Sequence, residues 1–323
     1  MAKAKILVTR RWSAEVEARL AELFDARLNA DDKPMTAAEL MAALGACDAV
    51  LPTVTDRMTA EVLDAEPLKA RILASYGVGY NHIDIAAAKR RGLVVTNTPE
   101  VLTDCTADLA MTLLLAVARR AGEGERHVRA GAWVSWRPTH MVGTKVTGKT
   151  LGVIGMGRIG RAVARRAHHG FGMSVIYHDT VPLASDVQHE LGATSCATIE
   201  DVLAASDFVS LHCPATPETR HLMNAERLGR MRKDAFLINT ARGDVVDEAA
   251  LVEALRRGTI AGAGLDVHEA EPKVSQALIG MENVVLLPHL GSATRETRHA
   301  MGMRVIDNLV AFFEGRPPRD RVA

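Results

Sequence analysis

The stretch KTLGVIGMGRIG, from Lys149 to Gly160, decides the fold that we predict for this chain. It contains a short apolar run, then a turn with three glycines, and it leads into the helical pattern RAVARRAHHG. In such a turn Gly155 allows a tight change of direction, Gly157 lets the backbone approach a ligand, and Gly160 lets the helix pack closely on the strand. The stretch therefore predicts a strand, a glycine turn and a helix, although the glycine spacing alone is a weak signal.

A carboxylate follows where the next predicted strand ends. The run SVIYHD ends in Asp179, nineteen residues after Gly160. From that position a carboxylate can accept hydrogen bonds from both ribose hydroxyls of an adenosine, while the glycine turn faces a pyrophosphate. The combination predicts a Rossmann dinucleotide-binding fold; the alternative is an ordinary glycine turn with an incidental Asp179 on the surface.

The alternation of short apolar runs with helical patterns extends over the whole chain. Before the glycine turn the predicted strands are KILVTR from Lys5, DAVLPTV from Asp48, RILASYG from Arg71 and LVVTNT from Leu93. After it come SVIYHD, FVSLHCP, AFLINTARG, IAGAGLDV and VVLLPHLG. This order is typical of α/β proteins with two doubly wound parallel sheets. It predicts a flavodoxin-like substrate-binding domain formed by 1–102 plus 295–323, and a Rossmann NAD-binding domain formed by 103–294.

Composition narrows the class of protein. With 323 residues, 48% of them hydrophobic, the chain can build roughly two domains. Lys+Arg and Asp+Glu are equal at 39 each, so no basic field predicts a nucleic-acid partner. Cys47, Cys105, Cys196 and Cys213 show neither C-x-x-C spacing nor metal-like clustering, which favours free thiols in a reducing compartment. The N-terminal MAKAKILVTRR resembles neither a signal peptide nor a membrane span, so we expect a cytoplasmic protein with no membrane contact and a small-molecule substrate.

Chemically active side chains follow the predicted strands of the second half. Arg242 follows the run AFLINT, Asp266 and Glu271 follow AGAGLD, and His289 follows VVLLP. Because the carboxyl ends of such strands open onto the crevice where the nicotinamide end of a dinucleotide lies, we expect these side chains to converge. Each also has a structural alternative: Arg242 in a salt bridge, Glu271 as a solvated turn residue, and His289 as a cap on a buried strand.

An Arg, a carboxylate and a His together suit the reduction of a carbonyl that lies beside a carboxylate. Negative charge develops on the carbonyl oxygen as hydride arrives, so a neighbouring acid must supply a proton. His289 is the predicted donor, and Glu271 would favour its imidazolium form and fix its orientation. The planar guanidinium of Arg242 can hold the substrate carboxylate and polarise the oxygen.

The sequence contains three further motifs that resemble ligand sites. GTKVTGKT, starting at Gly143, matches the phosphate-loop pattern, but a predicted strand follows it where a helix is required, which indicates coincidence. The sequence from His268 to Glu271 lacks a second His one helical turn on, and Pro272 would break the helix, so no metal site is predicted. SYGVGYNHID, starting at Ser75, is either an anion cradle of backbone N–H groups or a plain strand-to-helix turn.

With SYGVGYNHID, GMGRIG, INTARG, LDVHEAEP and LPHLGSAT in this order, the chain resembles the NAD(P)-dependent D-2-hydroxyacid dehydrogenases from end to end. Its W-x-x-W-x-P stretch is similar to that of the glyoxylate/hydroxypyruvate reductases. The resemblance implies a homodimer in which Trp136 reaches the neighbouring subunit's site, and it implies Arg242, Glu271 and His289 as catalytic residues. The implied substrate contacts are Gly77, Val78, Gly79, Arg242, His289 and Trp136. The implied cofactor contacts are Thr106, Gly155, Gly157, Arg158, Ile159, Gly160, Asp179, Cys213, Pro214, Thr219, Thr240, Ala241, Asp266 near the carboxamide, and Ser292.

The sequence therefore predicts an oxidoreductase that reduces small 2-oxoacids, glyoxylate and hydroxypyruvate first, by hydride transfer from NADH. Thr180 stands after Asp179 where NADP-using relatives often carry an Arg, so NADH is the expected cofactor and NADP the alternative. The competing hypothesis is an NAD(H)-sensing binding protein of the corepressor type on the same fold. A basic partner-binding arm or a long polar tail would favour that hypothesis.

Overall fold

The computed structural model describes residues 2–323, which form two compact units. The first unit comprises 2–102 with Ser292–Ala323, and the second comprises Thr103–Gly291. Within the described residues, every helix is too short or too polar to cross a lipid bilayer.

The strands are short and all pair in parallel. They are β1 (Lys5–Val8), β2 (Asp25–Arg27), β3 (Ala49–Leu51), β4 (Ile72–Ala74), β5 (Val94–Thr96), β6 (Thr150–Ile154), β7 (Ser174–His178), β8 (Ala193–Ser195), β9 (Phe208–Leu211), β10 (Phe236–Asn239), β11 (Gly262–Leu265) and β12 (Val284–Leu286).

Helices alternate with these strands along the chain. They are α1 (Ala14–Leu23), α2 (Ala37–Ala46), α3 (Ala60–Leu63), α4 (Ile85–Arg90), α5 (Thr103–Ala118), α6 (Ala121–Arg129), α7 (Arg158–Phe171), α8 (Ser185–Glu190), α9 (Ile199–Ala205), α10 (Ala225–Arg230), α11 (Glu248–Arg256), α12 (Gln276–Ile279) and α13 (Arg295–Phe313).

The first unit contains a five-stranded sheet in the order β2-β1-β3-β4-β5. This is the flavodoxin-like order of a doubly wound sheet. The strands β1, β3 and β4 are buried almost throughout, which explains why they read as continuous apolar runs. The last helix, α13, lies in this unit, where Gly302 packs directly on Val16 of α1 and leaves no room for a Cβ atom.

The second unit contains a seven-stranded sheet in the order β12-β11-β10-β9-β6-β7-β8. The strand order reverses between β6 and β9, which is the switch point of the Rossmann fold. Apolar side chains of α5 cover one face, and a Cβ atom on Gly264 of β11 would lie 3.0 Å from the Cβ atom of Leu113, so helix and strand pack closely there. The predicted fold class, two doubly wound parallel sheets, is confirmed.

Two strands were absent from the sequence prediction. Both β2 and β8 lie at sheet edges and have only three residues each. Their residues are mostly polar or exposed, so neither strand produces an apolar run. Each is defined by hydrogen bonds to its neighbour, which the amino-acid pattern does not reveal.

Candidate active site

The glycine turn after β6 has the geometry that its three glycines require. Gly155 has φ +94°, and a Cβ atom there would lie 2.6 Å from the backbone nitrogen of Cys213. A Cβ atom on Gly160 would lie 2.1 Å from the carbonyl oxygen of Gly155, whereas the space around Gly157 is open. Gly157 is the N-cap of α7, so the N–H groups of the first helical turn have an open approach. This cradle fits a pyrophosphate.

Asp179, directly after β7, holds the glycine turn in place. One carboxylate oxygen accepts a hydrogen bond from the N–H of Met156, and the other accepts one from Val181 at 3.0 Å. A carboxylate offers about four lone pairs, so acceptor capacity remains for ribose hydroxyls. Thr180 beside it is exposed and brings no positive charge.

The loop after β9 faces the glycine turn and begins with His212 and Cys213. Burial raises the pKa of the Cys213 thiol to about 11, and burial lowers the pKa of His212 to about 4, so both side chains are neutral at neutral pH. Thr219 donates to the carbonyl oxygen of Pro214 at 2.6 Å and closes the loop. The ring of His212 contacts the Ser210 hydroxyl at 2.8 Å. The sequence analysis did not include His212 among the site residues, and its position directly after the apolar run FVSL is the only signal in the sequence.

The end of β10 supplies a buried hydroxyl without a partner. The Thr240 Oγ1 atom is buried, and it makes no hydrogen bond within the described chain. The next residue, Ala241, donates its N–H to the Asn239 side chain at 3.0 Å. An unsatisfied buried hydroxyl at the carboxyl edge of a Rossmann sheet fits a polar group of a bound dinucleotide.

His289 and Glu271 form a hydrogen-bonded pair, with 2.9 Å between Nδ1 and Oε2. Because a carboxylate only accepts hydrogen bonds, Nδ1 carries the hydrogen and Nε2 is left as the nitrogen that can deliver a proton. Burial by itself would raise the pKa of Glu271. The hydrogen bond from His289, its positive charge and the hydrogen bond from the N–H of His268 have the opposite effect, and they hold the pKa of Glu271 below its usual range. Glu271 is therefore ionised at neutral pH.

Asp266 holds the turn that carries His289. Its two carboxylate oxygens accept from the N–H groups of Leu290 at 2.6 Å and Gly291 at 2.8 Å, and its carbonyl accepts from the N–H of His289 at 2.8 Å. His289 has φ +56°, a left-handed conformation that costs on the order of 1 kcal/mol in a non-glycine residue. These bonds offset that cost. Burial raises the pKa of Asp266, and the two N–H groups oppose that rise.

Thr106 also supports the turn that carries His289. Its hydroxyl donates to the carbonyl oxygen of Gly291 at 3.0 Å. Thr106 lies in α5, within the second unit, so a helix at the start of that unit fixes the turn at its end. The resemblance implies that Thr106 and Asp266 contact the cofactor, and in the structure both form hydrogen bonds to the turn that carries His289.

Arg242 lies on the loop after β10, next to the loop that carries Glu271. Burial lowers the pKa of its guanidinium, and the negative charges of Glu271 and Asp244 oppose that change. A Cβ atom on Gly243 would lie 2.0 Å from the carbonyl carbon of His268, so glycine is required for the two loops to touch. A guanidinium with this basicity stays charged, and it can hold a carboxylate.

Most of the predicted site residues lie at one edge of the second unit's sheet. The carboxyl ends of its parallel strands carry the glycine turn with Arg158 and Ile159, then Asp179, Cys213, Thr240 to Arg242, Asp266, Glu271 and His289. Ser292 lies in the first unit. Trp136 lies in the irregular segment between α6 and β6, and 78% of its side chain is exposed.

The segment Gly77-Val78-Gly79 follows β4 in the first unit. The carbonyl of Gly77 accepts from the N–H of Thr98 at 2.9 Å, and the carbonyl of Val78 accepts from the Asn97 side chain at 2.8 Å. Among the described residues, none accepts a hydrogen bond from the N–H groups of 77–79. Of the two interpretations left open by the sequence, this arrangement favours an anion cradle.

The structure shows the surroundings of two further motifs. The segment that matches a phosphate loop leads into β6 and not into a helix, and Gly143 packs against the carbonyl of Ala118. Across residues 2–323, no group of three or more His, Cys, Asp or Glu side chains is placed to hold a metal ion.

Comparison of the sequence with known proteins identifies the family of this chain. Residues 111–291 match the model of the D-isomer specific 2-hydroxyacid dehydrogenase NAD binding domain. The chain is 48% identical to a glyoxylate reductase of Korarchaeum cryptofilum, over 99% of this chain and 96% of that protein. It is 45% identical to a glyoxylate reductase of Thermococcus kodakarensis, over 98% and 95%.

A solved structure shows the same relationship. The NADPH-dependent glyoxylate/hydroxypyruvate reductase of Sinorhizobium meliloti, in complex with NADP and malonate, is 38% identical, with a TM-score of 0.88 over 100% of this chain and 97% of that one. The identities hold over nearly the full length of each chain, and the glycine turn, Asp179 and the His289–Glu271 pair follow the carboxyl ends of strands in the second unit's Rossmann sheet. The chain therefore belongs to the D-isomer specific 2-hydroxyacid dehydrogenase family of NAD(P)-dependent oxidoreductases.

Proposed function

We propose that this enzyme reduces small 2-oxoacids, glyoxylate and hydroxypyruvate first, to the 2-hydroxyacids, with NADH as the preferred reductant. The observation that carries the proposal is the His289–Glu271 pair, 2.9 Å apart at the same sheet edge as Arg242 and the glycine turn. The glyoxylate reductases among the relatives support the choice of substrate.

The residues of the second unit have separate tasks in this reaction. Bound NADH supplies the hydride that reaches the carbonyl carbon. Arg242 binds the substrate carboxylate. His289 delivers its Nε2 proton to the carbonyl oxygen as negative charge develops there, and Glu271 stabilises the imidazolium before transfer.

The two units divide this work. The second unit holds the cofactor through the glycine turn, Asp179, the loop after β9, and the strand end at Thr240, while Asp266 and Thr106 position the turn of His289. The first unit, 2–102 with Ser292–Ala323, is the proposed substrate-binding domain. Within the described residues the four cysteines form no disulfide bond, which supports a location in the cytoplasm.

A substrate panel tests the proposed function. The purified protein is mixed with NADH and with glyoxylate, hydroxypyruvate, pyruvate or a bulkier 2-oxoacid, and loss of nicotinamide absorbance is followed. We expect turnover with all small 2-oxoacids and the highest kcat/KM with the first two. Tight NADH binding without turnover of any 2-oxoacid would contradict the proposal and favour a cofactor-sensing protein.

Replacing Glu271 with Gln is expected to move the alkaline limb of kcat/KM to lower pH. The interaction with His289 that lowers the pKa of Glu271 is reciprocal, so the carboxylate favours the protonated imidazole. Reduction needs that protonated form, and it fades once the ring loses its proton. The Gln side chain carries no negative charge to favour the imidazolium, so activity should be lost at lower pH than in the wild type.

The measurement is kcat/KM for glyoxylate against pH in the wild type and in Glu271→Gln. Glu269→Gln is the matched control, because Glu269 is a neighbouring carboxylate whose partner is His221, at 2.7 Å. We expect the profile of Glu269→Gln to follow that of the wild type. An alkaline limb in Glu271→Gln that coincides with the wild-type limb would argue against the pair.

We further propose that the enzyme is a homodimer in which Trp136 contributes to the neighbouring subunit's site. Trp136 is 78% exposed, and Val134 and Trp133 beside it are 91% and 55% exposed, so these side chains have little cover in their own chain. Large aromatic residues with such exposure are typical anchors of protein interfaces. The W-x-x-W-x-P stretch therefore fits an arm that docks on a second copy.

Replacing Trp136 with Ala is expected to raise KM for glyoxylate about 5- to 10-fold, since a single interface anchor contributes roughly 1 to 2 kcal/mol. The Tm should change little, because the side chain is mostly exposed in its own chain. Steady-state kinetics, a melting curve and light scattering measure the three quantities, and Trp133→Ala serves as the aromatic control. A lower Tm with unchanged KM would rule out the arm across the dimer.

A further inference from the structure

His268 is a buried titratable residue at the end of β11 that the proposed mechanism does not use. Only 4% of its side chain is exposed. It stands one residue beyond Val267 and three before Glu271, in the stretch that the sequence analysis considered as a metal motif. Burying an imidazole costs free energy unless its polar atoms are used, so its hydrogen bonds indicate what it does.

The ring of His268 is bonded to the strand that leads to His289. Its Nε2 atom lies 3.0 Å from the carbonyl oxygen of Leu287. Because a carbonyl only accepts, Nε2 carries the hydrogen and donates it. Leu287 directly follows β12, which is an edge strand paired with β11 alone, and it lies two residues before His289.

The backbone of His268 is bonded to the other member of the catalytic pair. Its N–H donates to Oε1 of Glu271 at 3.0 Å, while Oε2 of Glu271 accepts from His289. His268 is thus bonded to the segments of both members of the pair. Its ring binds the carbonyl of Leu287, two residues before His289, and its main chain binds Glu271.

Other segments pack closely around His268. The carbonyl group of His268 packs on Gly243, at a distance that excludes a Cβ atom there. The Nδ1 atom is buried, makes no hydrogen bond within the described chain, and lies 4.0 Å from Oε1 of Glu248, which accepts from the N–H of Glu269. The titratable groups that face the ring and its main chain are therefore Glu248, Glu269 and Glu271, with His289 beyond them.

We propose that His268 is a positioning residue, whose Nε2–H bond to Leu287 sets the distance between the ends of β11 and β12 and so aligns Glu271 with His289. The proposal rests on the proposed function, because it concerns the alignment of the pair that delivers the proton. Volume alone does not explain the residue, since a Phe ring would fill the same space without satisfying the Leu287 carbonyl. The positioning role therefore depends on the Nε2–H donor of His268.

The test compares His268→Phe with His268→Gln in the full-length enzyme. Phe keeps the ring volume and removes the donor, whereas the Gln amide nitrogen lies the same number of bonds from Cβ as Nε2 of His and can still donate. In His268→Phe we expect kcat for glyoxylate to fall about 10-fold, since small misplacements of a catalytic group cost up to about 10²-fold. KM and the Kd for NADH should change less than about twofold, because no binding group is lost.

Two readouts separate positioning from stability. The alkaline limb of kcat should move in His268→Phe towards that of Glu271→Gln, since a misaligned carboxylate supports the imidazolium less well. In His268→Gln, kcat and the alkaline limb should recover to near wild-type values, whatever the change in Tm. Recovery by Gln but not by Phe supports the proposal.

Three outcomes would overturn it. These are an unchanged kcat and pH profile in His268→Phe, an equal loss in both variants, or a loss confined to Tm. Failure of the proposed function gives a different result, because the wild type would then reduce no 2-oxoacid at all. If His268→Phe does not fold, the kcat and pH profile of His268→Gln still decide: values far from the wild type would contradict the donor role.

Discussion

In the variant His289→Gln, kcat for glyoxylate reduction is expected to fall by about 10²- to 10⁴-fold, the usual cost of losing a general acid. The Gln side chain fills a similar space, but its amide cannot release a proton to the carbonyl oxygen. The glycine turn and Asp179 are unaffected, so the Kd for NADH should stay close to that of the wild type.

The experiment must separate lost chemistry from a disturbed turn, because His289 has φ +56°. Asn tolerates the left-handed region better than most residues, so His289→Asn is the second variant. Both variants should lose activity while keeping the wild-type Tm to within a few degrees. The matched control is His299→Gln, since His299 on α13 also pairs with a carboxylate, Glu15, at 3.2 Å.

We expect His299→Gln to retain wild-type kcat. Measurements of kcat, NADH binding by fluorescence and Tm on the three variants complete the test. A kcat in His289→Gln within a few fold of the wild type would remove His289 as the proton donor, and it would leave the family membership and the fold intact.

The wild-type enzyme is expected to prefer NADH over NADPH by about 10²-fold in kcat/KM. Asp179 can accept from both ribose hydroxyls, and hydrogen bonds to a charged group contribute about 1.5 kcal/mol or more each. NADPH replaces one hydroxyl with a phosphate, which loses a bond and places negative charge beside a carboxylate. Family membership does not decide the cofactor, since the related Sinorhizobium meliloti reductase is NADPH-dependent.

The double variant Asp179→Ala with Thr180→Arg is expected to reduce this preference to about 10-fold or less, because it removes the repulsion and adds a cation for the phosphate. Asp179 also accepts from the N–H of Met156 in the glycine turn, so Ala can weaken the binding of both cofactors. The ratio of the two kcat/KM values is therefore the quantity to compare.

Asp186→Ala is the matched control for the cofactor experiment. Asp186 is an exposed carboxylate on α8 in the same unit, and its removal should leave the ratio unchanged. Steady-state kinetics with both reduced cofactors provide the measurement. Equal or faster turnover of NADPH by the wild type would show that Asp179 does not select the cofactor.

The sequence by itself determined the fold class and the set of residues at the sheet edge. Parallel strands joined by helices end at the same edge, so the residues after AFLINT, AGAGLD and VVLLP had to lie near one another once the strands were recognised. The glycine turn and Asp179 were recognisable for the same reason, because their spacing reflects one strand, one helix and the next strand. These are local signals with a regular period.

Only the tertiary structure decided how the site is held. His289 adopts a left-handed conformation. The carboxylate of Asp266 binds the turn after His289, and the ring of His268 binds the carbonyl of Leu287, so both bonds join a segment that follows β11 to one that follows β12. The edge strands β2 and β8 depend in the same way on neighbouring strands. Hydrogen bonds between segments distant in sequence leave no periodic pattern in the amino acids, and they form only when packing brings donor and acceptor within about 3 Å of each other.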